Sequence, residues 1–210
     1  MTIRLTGSTS GYTEIDAPAV AGSNTLVLPT GNGTADQALV TNGSGTLSFA
    51  DRGRMVLSTA QNSTSGTSID FTGIPSWVKR VTVMFDGVST NGTSNLLVRI
   101  GDLDGIETTG YAASSVSLSD GISPTASTYA AGFGVISTTA SNVNHGSFVL
   151  NLLGANTWTF SGAIGRSNGA SVVTSAGSKT LSATLDRIRI TTVNGTDTFD
   201  AGTINILMEG

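Results

Sequence analysis

Residues 187–191 read Arg187-Ile188-Arg189-Ile190-Thr191, the cleanest alternation of polar and apolar side chains in the chain. A period of two puts both isoleucines on one face of an extended strand and both arginines on the other, as expected of a strand with one buried and one wetted face. The same period recurs elsewhere. Val81, Val83 and Phe85 share a face of 80–85, Phe148, Leu150 and Leu152 alternate, and Trp158 and Phe160 alternate with Thr157, Thr159 and Ser161 beyond a break at Gly154-Ala155-Asn156. Ile204 and Ile206 repeat the pattern after Asn194-Gly195, and Leu96 to Ile100 follows Asn91-Gly92. Asn-Gly is the strongest short-range hairpin signal, so the segments on either side of Asn91-Gly92 are expected to pair with each other.

The composition agrees. Thr, Ser and Gly make up 86 of the 210 residues, and Gly, Ser, Thr or Asn interrupts almost every window of ten. These residues compete with helix formation through backbone entropy and local side-chain hydrogen bonds. The best helical candidate is Pro75-Ser76-Trp77-Val78-Lys79, with Pro75 suited to a first helical position, and it is long enough for one turn. Charged residues are only 11%, yet 38% are hydrophobic and the mean hydropathy is +0.15, so the chain can build a core and is not of the disordered type. The expected fold is all-β: short extended N-terminal strands of fibre-like character, then an antiparallel β-sandwich or jelly-roll head.

The first fifty residues carry only short extended pieces, at Tyr12 to Ile15, Thr25 to Leu28, Ala38 to Thr41 and Thr46 to Phe49, between Gly/Ser/Asn turns. Each buries too little alone to offset the entropy of ordering it, so these pieces are expected to wrap with copies of themselves or dock on another protein. Charges cluster at Asp51-Arg52-Gly53-Arg54 where the longer strands begin, which sets the expected division at 1–53 and 54–210. Slender N-terminal strands ahead of a β head suit a parallel homotrimer, whose closed symmetry also protects edge strands.

Several chemistries fall away. There is no cysteine, one histidine and a net charge of −4, with Lys79 and Lys179 the only lysines. Thiolate and multi-histidine metal centres are excluded, and no dense cationic surface is available for nucleic acid. No apolar run reaches the length of a membrane helix, the start shows no continuous apolar stretch of a signal peptide, and no membrane insertion is expected. The Asn-Gly-Thr and Asn-Gly-Ser triplets match the glycosylation pattern through composition alone.

No cofactor or metal is expected. Asp102, Asp104 and Glu107 are the candidate calcium ligands, grouped around Gly105 but without the spacing of an EF-hand loop; the alternative is a hydrated turn after the Leu96–Ile100 strand. His145 falls in a polar loop ahead of Phe148, and without a Gly-x-Ser-x-Gly elbow it reads as a surface or interface residue. Asp70, Asp86, Asp186, Asp197 and Asp200 are available for glycan cleavage, but nothing in the sequence pairs them, so no enzyme activity is expected. Trp77 and Trp158 sit in apolar context and are expected in the core. Tyr111 and Tyr129 lie in the Gly/Ser/Ala-rich region 108–134, which is expected to form long loops on the head, and they are the expected receptor or glycan contacts.

Two N-terminal stretches, Leu5 to Tyr12 with Ala17 to Pro29, and Gly33 to Ala50, resemble repeats in bacteriophage tail-fibre and virion structural proteins. The remainder, from Ile69 to Val78 through Thr191 to Asp197, is similar to the globular end of short phage structural proteins. The resemblance implies a trimeric fibre on the virion surface, assembled in the host cytoplasm, docked to other virion proteins through its thin N-terminus and displaying the β head outward. Ile3, Leu5, Tyr12, Ile15, Leu26 and Leu28 are then the expected attachment residues. The function implied is a non-enzymatic short tail fibre or tip that contacts a host surface glycan or receptor. The alternative is a capsid or tail decoration, a head fibre, that stabilises the particle or gives weak adhesion.

Overall fold

The computed structural model describes residues 3–20, 22–35, 37–51, 53–140 and 142–210, with the backbone alone at Asp51. Arg52, inside the charged boundary, and Ser141, ahead of His145, lie outside the described residues. The chain divides into two compact units, 1–52 and 53–210. No helix occurs among the described residues, and every strand pairing is antiparallel, so the protein is all-β.

The first unit consists of two separate hairpins. Strand β1 (Ile3–Thr6) pairs with β2 (Tyr12–Ile15), and β3 (Gln37–Thr41) pairs with β4 (Leu47–Asp51). The expected strand at Thr25 to Leu28 reduces to one bridge, in which Val27 bonds to Gly45 and Leu47 on either side of Thr46. Not one described residue from 3 to 51 is buried. Two-stranded hairpins are marginal in water unless something packs on their apolar face.

The second unit is a sandwich of two sheets. The smaller holds β7 (Ser68–Thr72), β9 (Leu96–Asp102) and β17 (Arg187–Thr192), with the short β10 (Gly105–Ile106) and β13 (Phe133–Val135) along the outer side of β9. The larger runs in the order β12 (Ile122–Tyr129), β11 (Ala112–Ser119), β16 (Ser171–Thr180), β15 (Thr157–Arg166), β14 (Asn144–Gly154), β8 (Arg80–Thr90) and β18 (Phe199–Glu209). Beyond β18 lie β5 (Met55–Leu57) and β6 (Gln61–Asn62). One hydrophobic cluster joins the inner faces, with Val98, Ile100, Ile188 and Ile190 from the smaller sheet against Val81, Val83, Phe148 and Phe160 from the larger. Phe133, Phe160 and Phe148 stack with centroids 4.4 and 4.8 Å apart, and Tyr111 and Phe85 close the two ends of this row edge-on. Trp158 is buried as expected, and Trp77 packs half-buried against the cluster.

Asn91-Gly92 does not close a hairpin. β8 belongs to the larger sheet and β9 to the smaller, so the dipeptide lies on a crossover between them, as does Asn194-Gly195 between β17 and β18. The two crossovers bond to each other. Asp197 accepts from the Ser94 N–H (2.9 Å) and the Asn194 amide, and Asn91 and Thr198 exchange two further bonds. A side chain at Gly92 would run into the Asp197 carboxylate, which explains a glycine there. Pro75 opens a β-turn closed by the Val78 N–H on its carbonyl (3.0 Å), not a helical turn.

The expected long loops at 108–134 are also corrected: they form the hairpin β11–β12 and then β13. Their serines misled the periodicity because some point inward. Ser115 and Ser117 are buried, as is Ser175 on the neighbouring β16, whose hydroxyl donates to the Gly134 carbonyl (2.7 Å) where β13 passes over the sheet.

Candidate functional site

The acidic group at 102–107 is engaged by the protein itself. Asp102 is only 2% exposed, and its carboxylate accepts the Ser182 hydroxyl (2.5 Å) and the Asp104 N–H (3.0 Å). The Ser182 bond is the main reason its pKa is lowered. Glu107 pairs with Lys179, itself only 7% exposed, and accepts the Ser182 N–H (2.8 Å). Burial alone would raise the Glu107 pKa, but Lys179 and Ser182 outweigh it and lower the net value. Asp104 is exposed on the turn. Three carboxylates close in sequence therefore do not converge, and no group of three or more potential ligands gathers among the described residues.

Tyr111 stands beside this cluster and is not a surface contact. It is 5% exposed, and its hydroxyl accepts the Ile100 N–H (2.8 Å) and lies near the carbonyls of Ile100 and Glu107. Burial raises its pKa, so the hydroxyl stays neutral, and its ring underlies the Lys179 ammonium at 5.5 Å. Tyr129 is half-buried, its hydroxyl accepts from the Asn95 amide (2.9 Å), and its ring lies against Gly134. The two tyrosines meet at a shallow, open depression of about 640 Å³ with Ala112, Ser114, Thr128 and Ala176. No tryptophan joins them, and a buried Tyr111 offers no ring face for a sugar to stack on.

His145 lies within β14, not in a loop. β14 meets β8 there through a bulge that sets both Asp86 and Gly87 against the one histidine. Gly87 takes a positive φ of 68° and directs its N–H at His145 Nδ1 (3.1 Å), so the imidazole caps a backbone donor that the bulge removes from the ladder. Asp86 Oδ1 is also 3.1 Å from Nδ1, and Ser167 Oγ is 3.1 Å from Nε2. The order Asp–His–Ser matches a hydrolytic triad, but a backbone group takes the place of the triad carboxylate. With the Gly87 N–H donating to Nδ1, that nitrogen gives no proton to Asp86, the bond by which a triad carboxylate orients its histidine. Asp86 is 89% exposed, so it is also too solvated to orient the ring.

The expected attachment residues are all exposed. Ile3, Leu5 and Ile15 share one face of the β1–β2 hairpin. Tyr12 lies on the other, under the Arg4 guanidinium, which also pairs with Glu14. Leu26 and Leu28 flank the bridged Val27.

A feature not singled out from the sequence is the outer face of the smaller sheet. Arg99 and Arg189 are cross-strand partners there, and Arg187 lies two residues along on the same side. Arg189 holds Asp70 through two bonds (2.6 and 2.7 Å). The alternation at 187–191 already showed that the two arginines share a face; what it lacked was Arg99 beside them. Comparison with protein-family models, curated proteins and solved structures finds no match for this chain.

Proposed function

We propose that this chain is a non-enzymatic structural protein of a bacteriophage particle, a short tail fibre or tip whose three copies display the β head for contact with the host surface. One observation carries the reading: a second unit with a complete core accompanies a first unit whose described residues include none that is buried and nine exposed large apolar side chains. A segment of that kind becomes ordered when other chains cover it, by symmetry-related copies and by a docking partner on the particle. The resemblance of the N-terminal stretches to phage fibre repeats, and of the remainder to the globular end of short phage structural proteins, supports the same reading. The mode of action is passive, because three weak sites on one particle act at high effective concentration.

Antibody raised against residues 54–210, with gold detection on intact particles, tests this. Label at the tail end is the expected result. Label spread over the capsid replaces the tail reading with the decoration reading, and accessible particles without label refute both.

A further inference from the structure

The outer face of the smaller sheet holds three of the eight arginines of a chain with net charge −4. Like charges directly opposite on neighbouring strands destabilise a sheet, and Arg99 and Arg189 are such a pair. The two side chains turn apart, Arg189 to Asp70 and Arg99 to the Ala131 carbonyl (2.8 Å). Between Arg189 and the β10 turn lies a trough of about 310 Å³ lined by Asp70, Thr72, Ile106, Thr108, Arg187 and Arg189. That is at the small end of ligand-site sizes. Gly101 is the strand partner of both Arg187 and Ile106, and the Gly105 carbonyl of β10 occupies the place a side chain there would take, so the floor of the trough at this point is backbone.

Donors remain free along this trough. Arg187 uses Nε and Nη2 on Asp186 and the Leu103 carbonyl, and Arg189 uses Nε and Nη2 on Asp70. Their Nη1 groups have no partner among the described residues, nor do the hydroxyls of Thr72 and Thr108; the same holds for the terminal nitrogens of Arg99, which lies outside the lining. We propose that this trough binds an acidic sugar unit. Its carboxylate would meet the free Nη1 groups of Arg187 and Arg189 in the positive field that Arg99 adds, and its hydroxyls would meet Asp70, Thr72 and Thr108. The apolar edge of the sugar then faces Ile106. This inference rests on the reading of the head as the host-facing end and names the chemistry that the head recognises.

The test is calorimetric titration of the full-length chain with hexagalacturonate, neutral maltohexaose and inorganic phosphate, with amide chemical shifts to locate the contact. Hexagalacturonate is expected to bind and to shift amides at 105–108 and 187–189, while maltohexaose does not bind. Arg187→Gln is expected to weaken binding about tenfold or more, the effect of losing a charged hydrogen bond. Thr108→Ala, at an exposed hydroxyl with no internal partner, is expected to weaken it about threefold with an unchanged melting temperature, which preserves the test if the arginine variant fails to fold. Absence of hexagalacturonate binding, equal binding of maltohexaose, phosphate binding as tight as that of the oligosaccharide, or shifts confined to another face each overturn the proposal. Gold at the tail without uronate binding removes this inference alone; unlabelled particles remove the virion reading beneath it.

Discussion

Lys179→Met would separate the buried ion pair from the rest of the sandwich's stability. Lys179 projects from the inner face of β16 with 7% of its side chain exposed, pairs with Glu107 and rests over the Tyr111 ring. Methionine keeps most of the volume but leaves the Glu107 carboxylate with Ser182 alone. Breaking a buried pair from one side costs about 3–5 kcal/mol, because the remaining charge is desolvated and uncompensated. Glu107 retains 23% exposure, so water recovers part of this and the expected loss is about 3 kcal/mol. At about 2–4 °C per kcal/mol for a domain of this size, the melting temperature should fall by about 6–12 °C. Thermal unfolding followed by circular dichroism reads this directly. Adding Glu107→Gln should then cost little, because the orphaned charge is gone, and the double-mutant cycle should show a coupling of about 2 kcal/mol. A drop under about 2 °C for Lys179→Met, or strictly additive effects, would refute the pair as a structural element.

Other consequences follow from the same contacts. Asp102 and Glu107 both have lowered pKa values in the folded state, so their stabilisation is present above the unfolded carboxyl values near roughly pH 4 and is lost as pH falls through the folded values. Acid unfolding should therefore be shallower in Asp102→Asn at equal starting stability, as read from melting temperatures between pH 6 and pH 2. The β14–β15 turn places Ala155 and Asn156 at φ of 44° and 61°, the left-handed pair that a type I′ turn requires. Ala155→Gly should relieve about 1 kcal/mol and raise the melting temperature by about 2–4 °C; a fall would contradict that turn geometry. Hydrolysis of p-nitrophenyl acetate should be identical in the parent, Ser167→Ala and His145→Ala, and a serine-dependent burst would show that the Asp86–His145–Ser167 group is catalytic after all.

The faces of the strands were legible from sequence where a large apolar residue met a polar neighbour. Ile188 and Ile190 face the core and Arg187 and Arg189 face out, as their alternation says, and Val81, Val83 and Phe85 behave likewise. Which sheet a strand joins was not legible. Asn91-Gly92 carries the chemistry of a hairpin turn, yet the next strand enters the opposite sheet, and the bonds that decide this come from Asn194 and Asp197, about a hundred residues away. The region 108–134 was misread because Ser115 and Ser117 occupy buried positions where the sequence pattern looks for large apolar residues, beside Ser175 of the neighbouring strand, whose hydroxyl bonds to the Gly134 carbonyl. Its tyrosines illustrate the same limit. Tyr111 looks available in a run of small residues, but those residues leave room for β13 to press Phe133 against its ring (centroids 5.0 Å apart). The arginine face was half legible, since spacing places Arg187 beside Arg189 but only strand register brings Arg99 across from them.

Residues 1–52, on the reading proposed above, become ordered through other chains while the head carries its own core. Native mass spectrometry of the intact chain, with hydrogen exchange on the same sample, tests it most directly. The expected result is a trimer with slow exchange across 37–51 and 3–15, and loss of that protection on dilution to monomer. A monomer whose N-terminal amides are already protected would contradict it, because no described residue within 3–51 is buried to hold those hairpins closed.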